Sequence, residues 1–213
     1  LETSGERLSV QLMKVAESSE KSRLRASIYE FYRKTSPESK LPPMSNIGAV
    51  VIMAGGKGTR MQSELTKVRH PVAGLPMLVY PVLAAQHAGA ASTIVITGPD
   101  DDFADILPEG ATTATQHEAK GTGDAIKSAE SSIGDCAQVI VLSGDVPLID
   151  ADFVAELAAA QAESGAAMVV ATARLEDPTG YGRIVRSADG SVERVAETKV
   201  AGDASEAELA IDE

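Results

Sequence analysis

From residue 47 onward the chain alternates between short apolar runs and longer stretches with helical spacing. The runs 48–54, 92–97, 112–116, 138–143 and 167–173 are rich in β-branched residues, are bounded by Gly, Asp or Pro, and predict buried strands. The stretches 77–88, 121–132 and 151–164 predict helices. Asp150 can cap the last of these, with Phe153, Leu157 and Ala160 on one face. Pro76 suits the first position of the 77–88 helix, but Pro81 removes a later donor, so that helix should start late or bend. This β–α alternation predicts an α/β fold with a mostly parallel sheet covered by helices on both faces.

Two segments depart from that rhythm. Tyr181 to Arg186, a Gly190-containing turn and Ser191 to Glu197 read as a β-hairpin, and the acidic, Ala-rich residues 203–213 read as the start of a helix or as a linking segment. Residues 1–46 look different again. Leu8, Leu12 and Val15, then Leu24, Ile28 and Phe31, recur at helical spacing among many charges, and Ser36 to Pro43 ends the pattern. The expected organisation is a helical N-terminal appendage over 1–46, without chemistry, and one domain over 47–213. The chain begins with Leu1, and Met44 is a natural start just before the domain. No internal repeat is present.

Composition narrows the partners. Of 213 residues only 3% are aromatic and none is Trp, so Ala, Val, Ile and Leu must build the core. Net charge is −12; residues 1–46 hold eight Lys/Arg and six Asp/Glu, leaving −14 on the rest. Such a surface repels nucleic acid and anionic membranes, so neither is an expected partner. No apolar run approaches the ~18 residues of a membrane span. The single cysteine, Cys136, excludes an internal disulfide, suits a reducing cytosol and reads as a small, partly buried packing residue.

The candidate chemistry begins where the first strand ends. Met53-Ala54-Gly55-Gly56-Lys57-Gly58-Thr59-Arg60-Met61 places three glycines, a hydroxyl and two cations after an apolar run, with Lys67 close behind. Glycines let backbone N–H groups face an anion, and the cations neutralise it, as a phosphate-handling loop requires. Two familiar loops fail on spacing. The P-loop needs a Gly five places before Gly56, where Val51 stands, and the dinucleotide fingerprint needs a Gly at Met61.

The loop, followed by Leu65-Thr66-Lys67-Val68, instead resembles the signature of sugar-phosphate nucleotidylyltransferases. Gln116 with Gly121-Thr122-Gly123, Ser143-Gly144-Asp145-Val146-Pro147-Leu148, Asp177 to Arg183, and Glu197 resemble bacterial N-acetylglucosamine-1-phosphate uridyltransferases over about residues 47–213. That resemblance implies a Rossmann-like nucleotidyltransferase sheet with the hairpin on its sugar side. It implies that UTP and N-acetylglucosamine 1-phosphate react with Mg²⁺ as cofactor, in the cytoplasm, to give UDP-N-acetylglucosamine, a cell-wall precursor, and pyrophosphate.

The resemblance also implies the roles. Met53, Ala54, Gly55 and Gly56 would hold the nucleotide, while Arg60 and Lys67 would be catalytic, facing the triphosphate. Gln116, Gly121 and Thr122 would read uracil. Ser143, Gly144 and Asp145 would line the site, with Asp145 as the Mg²⁺ ligand, and Gly182 and Glu197 would shape the sugar side near Tyr181. His70, His87, His117 and Asp124 fall outside these roles and read as packing or surface residues. Thr66 replaces the family's Pro, which should leave Lys67 less preorganised. The family's Asn-containing sugar and metal motifs would lie beyond Glu213, and its acetyltransferase domain would follow, so the expectation is a truncated monomer with weak UTP binding and poor turnover. Two alternatives stand beside this reading: a nucleotidylyltransferase for another sugar or base, and a non-catalytic sugar-nucleotide-binding module.

Overall fold

A computed structural model describes residues 47–56, 61, 63–198 and 202–213. The expected N-terminal helices lie outside these residues. The chain divides into two compact units, one running to Ala166 and the other from Ala167 to Glu213.

The first unit is built on a four-stranded parallel sheet of β1 (Ala49–Met53), β4 (Ser92–Thr97), β5 (Ala111–Thr115) and β6 (Val139–Ser143), in the order β5-β4-β1-β6. The strands lie where the apolar runs place them. β1 is central, and its alternate side chains enter two cores. Val50 and Ile52 pack with Val95, Ile140 and Leu142 against Leu78, Val82, Val154 and Ala158, from or beside α1 (Val79–His87) and α4 (Ala151–Ser164). Ala49 and Val51 pack with Ile94, Ile96 and Ala114 against Ala125 and Ala129, from α2 (Thr122–Ser128) and its junction with α3 (Glu130–Ile133). Both faces of the sheet are therefore covered by helices, as the sequence rhythm predicts. Cys136 is a free, half-buried thiol against the second core.

Local chemistry sets the helix ends. α1 starts late, at Val79, so Pro81 falls in the first turn, where its missing N–H has no intrahelical acceptor to lose. Asp150 caps α4 by accepting from the Phe153 N–H at 2.9 Å, and Gly165 closes it in the left-handed region. The buried face of α4 differs from the expected one. Val154 and Ala158 are buried with Leu157 beside them, while Phe153 and Ala160 are exposed. Alanines surround this helix, so its sequence defines no single apolar stripe.

Between β1 and α1 lies a short 3₁₀ turn, Lys67–Arg69, followed by the small hairpin β2 (Pro71–Val72) and β3 (Leu75–Pro76). Its two-residue turn places Ala73 at φ 46° and Gly74 at φ 93°. Such turns favour Asn-Gly, and Ala73 carries the strain of a side chain in the left-handed region.

The second unit contains the antiparallel hairpin β7 (Arg183–Arg186) and β8 (Val192–Ala196), with Gly190 at φ 85° in the turn, and the capped helix α5 (Glu206–Leu209). The hairpin and helix agree with the sequence reading. The strand expected over 167–173 does not form, and Met168 and Val170 are 75% and 44% exposed. An apolar run becomes a strand only when a neighbour accepts and donates its backbone hydrogen bonds, and among the described residues no ladder takes this one up.

Candidate active site

In open parallel sheets ligands bind at the carboxyl ends of the strands, where successive connections leave in opposite directions. Here β1 leads to β4 and β5 on one side, and the chain then returns to place β6 on the other, so that point lies between β1 and β6. Its carboxyl edge carries Met53, Ala54, Gly55 and Gly56 from one strand and Ser143, Gly144 and Asp145 from the other. Met53 and Ser143 are register partners, and the Gly144 N–H donates to the Met53 carbonyl at 2.9 Å.

Gly144 is a contact position rather than a hinge. A Cβ there would meet the Met53 carbonyl oxygen at 2.9 Å, Leu78 Cδ1 at 3.1 Å and Val68 Cγ1 at 3.4 Å. Val68 is the buried centre of the Lys67–Arg69 turn, so the missing side chain lets that turn settle onto the end of β6. The residues adjoining these two, Lys67 beside Val68 and Asp145 beside Gly144, consequently meet. Lys67 Nζ donates to Asp145 Oδ2 at 2.5 Å, with both side chains partly exposed.

Thr66 adopts φ −57° and ψ 143°, within the range proline would impose. The turn is fixed from its other end. Arg69 forks onto both carboxylate oxygens of Asp105 at 2.8 and 3.1 Å, donates to the Asp102 carbonyl, and stacks 5.3 Å from the ring centroid of buried Phe103. Asp105 holds the Arg69 guanidinium above its ordinary pKa, chiefly through the hydrogen bond, while burial acts against it. The sequence reading missed Arg69. Its signal is a cation two residues after Lys67 facing the acidic run Asp100 to Asp102 and Asp105.

Two strands away, Gln116 follows β5, its N–H bonded to the Thr97 carbonyl at 2.9 Å. Its side-chain amide donates to the Gly121 carbonyl at 3.1 Å and to Asp124 Oδ2 at 3.0 Å. Gly121 and Thr122 open α2 and are exposed, whereas Asp124, read from sequence as a surface residue, is half-buried against Gln116. Beside Asp145, a hollow of about 520 Å³ is lined by Val146, Pro147, Leu148 and Phe153, with Leu148 94% exposed.

Arg60, with Lys57, Gly58 and Thr59, lies outside the described residues. Gly182 and Glu197 belong to the second unit. Gly182 precedes β7, where a Cβ would meet Val195 Cγ1 at 2.9 Å, and Glu197 is exposed just past β8. Arg183 is 4% exposed and donates to the Pro178 and Tyr181 carbonyls at 2.7 and 2.6 Å, which fixes the turn carrying Tyr181.

No cluster of three or more His, Cys, Asp or Glu able to hold a metal occurs among the described residues. Mg²⁺ suits a lone carboxylate only when phosphate oxygens and water complete its shell, so Asp145 fits a metal that arrives with a nucleotide and not a resident one. No helix among the described residues is long and apolar enough to cross a membrane.

Comparison with known proteins agrees with this geometry. The chain is 46% identical over 171 residues to the bifunctional protein GlmU of Trichlorobacter lovleyi, covering 78% of this chain and 36% of that protein. It is 45% identical over 157 residues to GlmU of Geobacter metallireducens, covering 71% and 33%, and 42% identical over 177 residues to that of Clavibacter sepedonicus, covering 80% and 35%. It thus spans about a third of the length of the curated relatives it matches. Residues 50–205 match the model of the MobA-like NTP transferase domain, and the chain belongs to that family of nucleotidyltransferases.

Proposed function

We propose that this chain transfers UMP from UTP to N-acetylglucosamine 1-phosphate, releasing pyrophosphate, in the cytosol. An oxygen of the sugar phosphate attacks the α-phosphorus in line, the α–β bridging bond breaks, and its electrons leave with pyrophosphate. The attacking oxygen is already anionic, so no general base is required, and the work left to the protein is positioning and charge stabilisation. Lys67, with Arg60, offsets charge on the triphosphate as the transfer proceeds. Ala54 to Gly56 accommodate the nucleotide, Gln116 with the Gly121-Thr122 turn accepts the base, and Gly182 and Glu197 contact the sugar. Asp145 holds Mg²⁺ delivered with UTP, and the ion supplies neutralisation of phosphate charge.

What supports this reading above all is the Lys67–Asp145 contact at 2.5 Å, at the carboxyl edge between β1 and β6. A cation for phosphate and a carboxylate for metal stand there side by side. The test is pyrophosphate release with UTP and N-acetylglucosamine 1-phosphate. Lys67→Met should lower the rate by on the order of 10²–10³, by analogy with the loss of one stabilising donor. Asp145→Ala should do the same and should raise the Mg²⁺ concentration needed for half-maximal rate. A rate and Mg²⁺ requirement unchanged by Asp145→Ala, or a preference for another nucleotide across UTP, dTTP, CTP and GTP, overturns the proposal.

A further inference from the structure

The Gln116–Asp124 contact bears on which base the site accepts. A primary amide offers two donor hydrogens on nitrogen and an acceptor oxygen. Both hydrogens of Gln116 Nε2 are engaged, one by the Gly121 carbonyl at 3.1 Å and one by Asp124 Oδ2 at 3.0 Å. Both partners are acceptors only. Turning the amide over would set its oxygen against a carbonyl and a carboxylate, losing two hydrogen bonds and adding two repulsions. The orientation is therefore fixed by chemistry, and Oε1 is the end left free, with no donor engaging it among the described residues.

An oxygen in a fixed place accepts and cannot donate. An acceptor in that place matches the N3–H of uracil, whereas cytosine in the same pose presents N3 as an acceptor, the opposite polarity.

We infer that Asp124 is a positioning residue that locks the Gln116 amide with its carbonyl toward the base and thereby sets the preference for uracil over cytosine. This inference rests on the proposal that Gln116 faces the base. Asp124 is also the third residue of α2, where a carboxylate stabilises the helix dipole, and that purely structural role makes a different forecast.

The experiment is calorimetric binding of Mg-UTP and Mg-CTP to the wild-type chain and to Gln116→Ala, Asp124→Ala and Asp124→Asn, with thermal melts alongside. Asn at 124 removes the charge that the helix favours but keeps an oxygen that accepts from Nε2. Asp124→Ala leaves the Gly121 carbonyl alone to hold the amide and should reduce the UTP:CTP affinity ratio by about 3- to 10-fold, the effect of losing one net hydrogen bond. Asp124→Asn should preserve the ratio even if its melting temperature falls. A ratio unchanged by Asp124→Ala but lost in Gln116→Ala overturns the role of Asp124. Loss of the ratio in Asp124→Asn with the fold intact also overturns it, because charge and not acceptance would then be responsible. No UTP preference in the wild type, or a ratio indifferent to Gln116→Ala, refutes instead the reading on which the inference rests. Should Asp124→Ala not fold, Asp124→Lys takes its place. A donor at 124 engages the amide oxygen instead and turns Nε2 toward the base, so the UTP:CTP ratio should fall; an unchanged ratio refutes the inference.

Discussion

The two units of this chain are held together by different forces. In the first, nearly every buried residue is apolar, and β1 contributes side chains to cores on both faces of its sheet. In the second, only Arg183 and Ala196 are buried among the described residues, and Arg174, Arg186 and Thr172 converge on Glu213 while Arg194 pairs with Glu208. Backbone bonds from Leu175 to Asp212 and from Ile184 to Glu213 join the same segments. A hydrophobic core resists acid and salt, whereas partly exposed ion pairs are screened by one and titrated by the other. The proposed phosphate contacts fall on the apolar frame, and the proposed sugar contacts on the polar one.

That contrast can be broken most forcefully in the first unit. Ile52→Ala should cost about 2–5 kcal/mol, the usual range for emptying a packed site, and hydrogen exchange should show the loss across β1, β4 and β6 while β7 and β8 keep their protection. A uniform loss over both units would mean that they unfold as one.

Acid should act the other way. Arg186 and Thr172 hold the Glu213 carboxyl down to about 2 from its ordinary 4.5, and Ser191 and Ser187 hold Asp189 at about 2 from 3.8. A carboxyl whose folded pKa is depressed contributes stability that is complete above its unfolded pKa and lost as pH falls through the folded one. Protection of β7 and β8 should therefore be level above about pH 5 and decline between 4.5 and 2, ahead of the parallel sheet. Glu213→Gln should lower the plateau and flatten the decline. An unchanged acid profile in that variant would show that the Glu213 network does not hold the second unit together.

The mildest effect concerns the strained turn before α1. Ala73→Gly should raise stability by about 0.5–1 kcal/mol, because relief of the left-handed conformation exceeds the added entropy of glycine, and a melt a few degrees higher would register it.

How far the sequence foretells this molecule follows from the same contrast. The four parallel strands and the capped α4 could be read because β-branched runs and an Asp at a helix start act through local chemistry. The failed strand at 167–173 shows the limit, since an apolar run states that a segment can pair but not that a partner stands beside it. Face assignment failed on α4 because its alanines make several faces equivalent. At the site, Lys67 and Asp145 were legible as motif residues, but their contact depends on residues 78 positions apart in the chain meeting through the fold. Arg69 was passed over and Asp124 was read as a surface residue because their roles lie in what they hold, and a partner such as Asp105 or Gln116 is visible only once loops are placed.

Gly144 carries neither charge nor hydroxyl, yet it sets the spacing of the candidate centre. The gap between the ammonium and the carboxylate is measured out by the thickness of a bare backbone lying between Met53 and Val68. One added methyl group would wedge the two segments apart without touching either reacting side chain. Geometry of this kind is encoded by a missing atom, and a search for polar residues would pass over it.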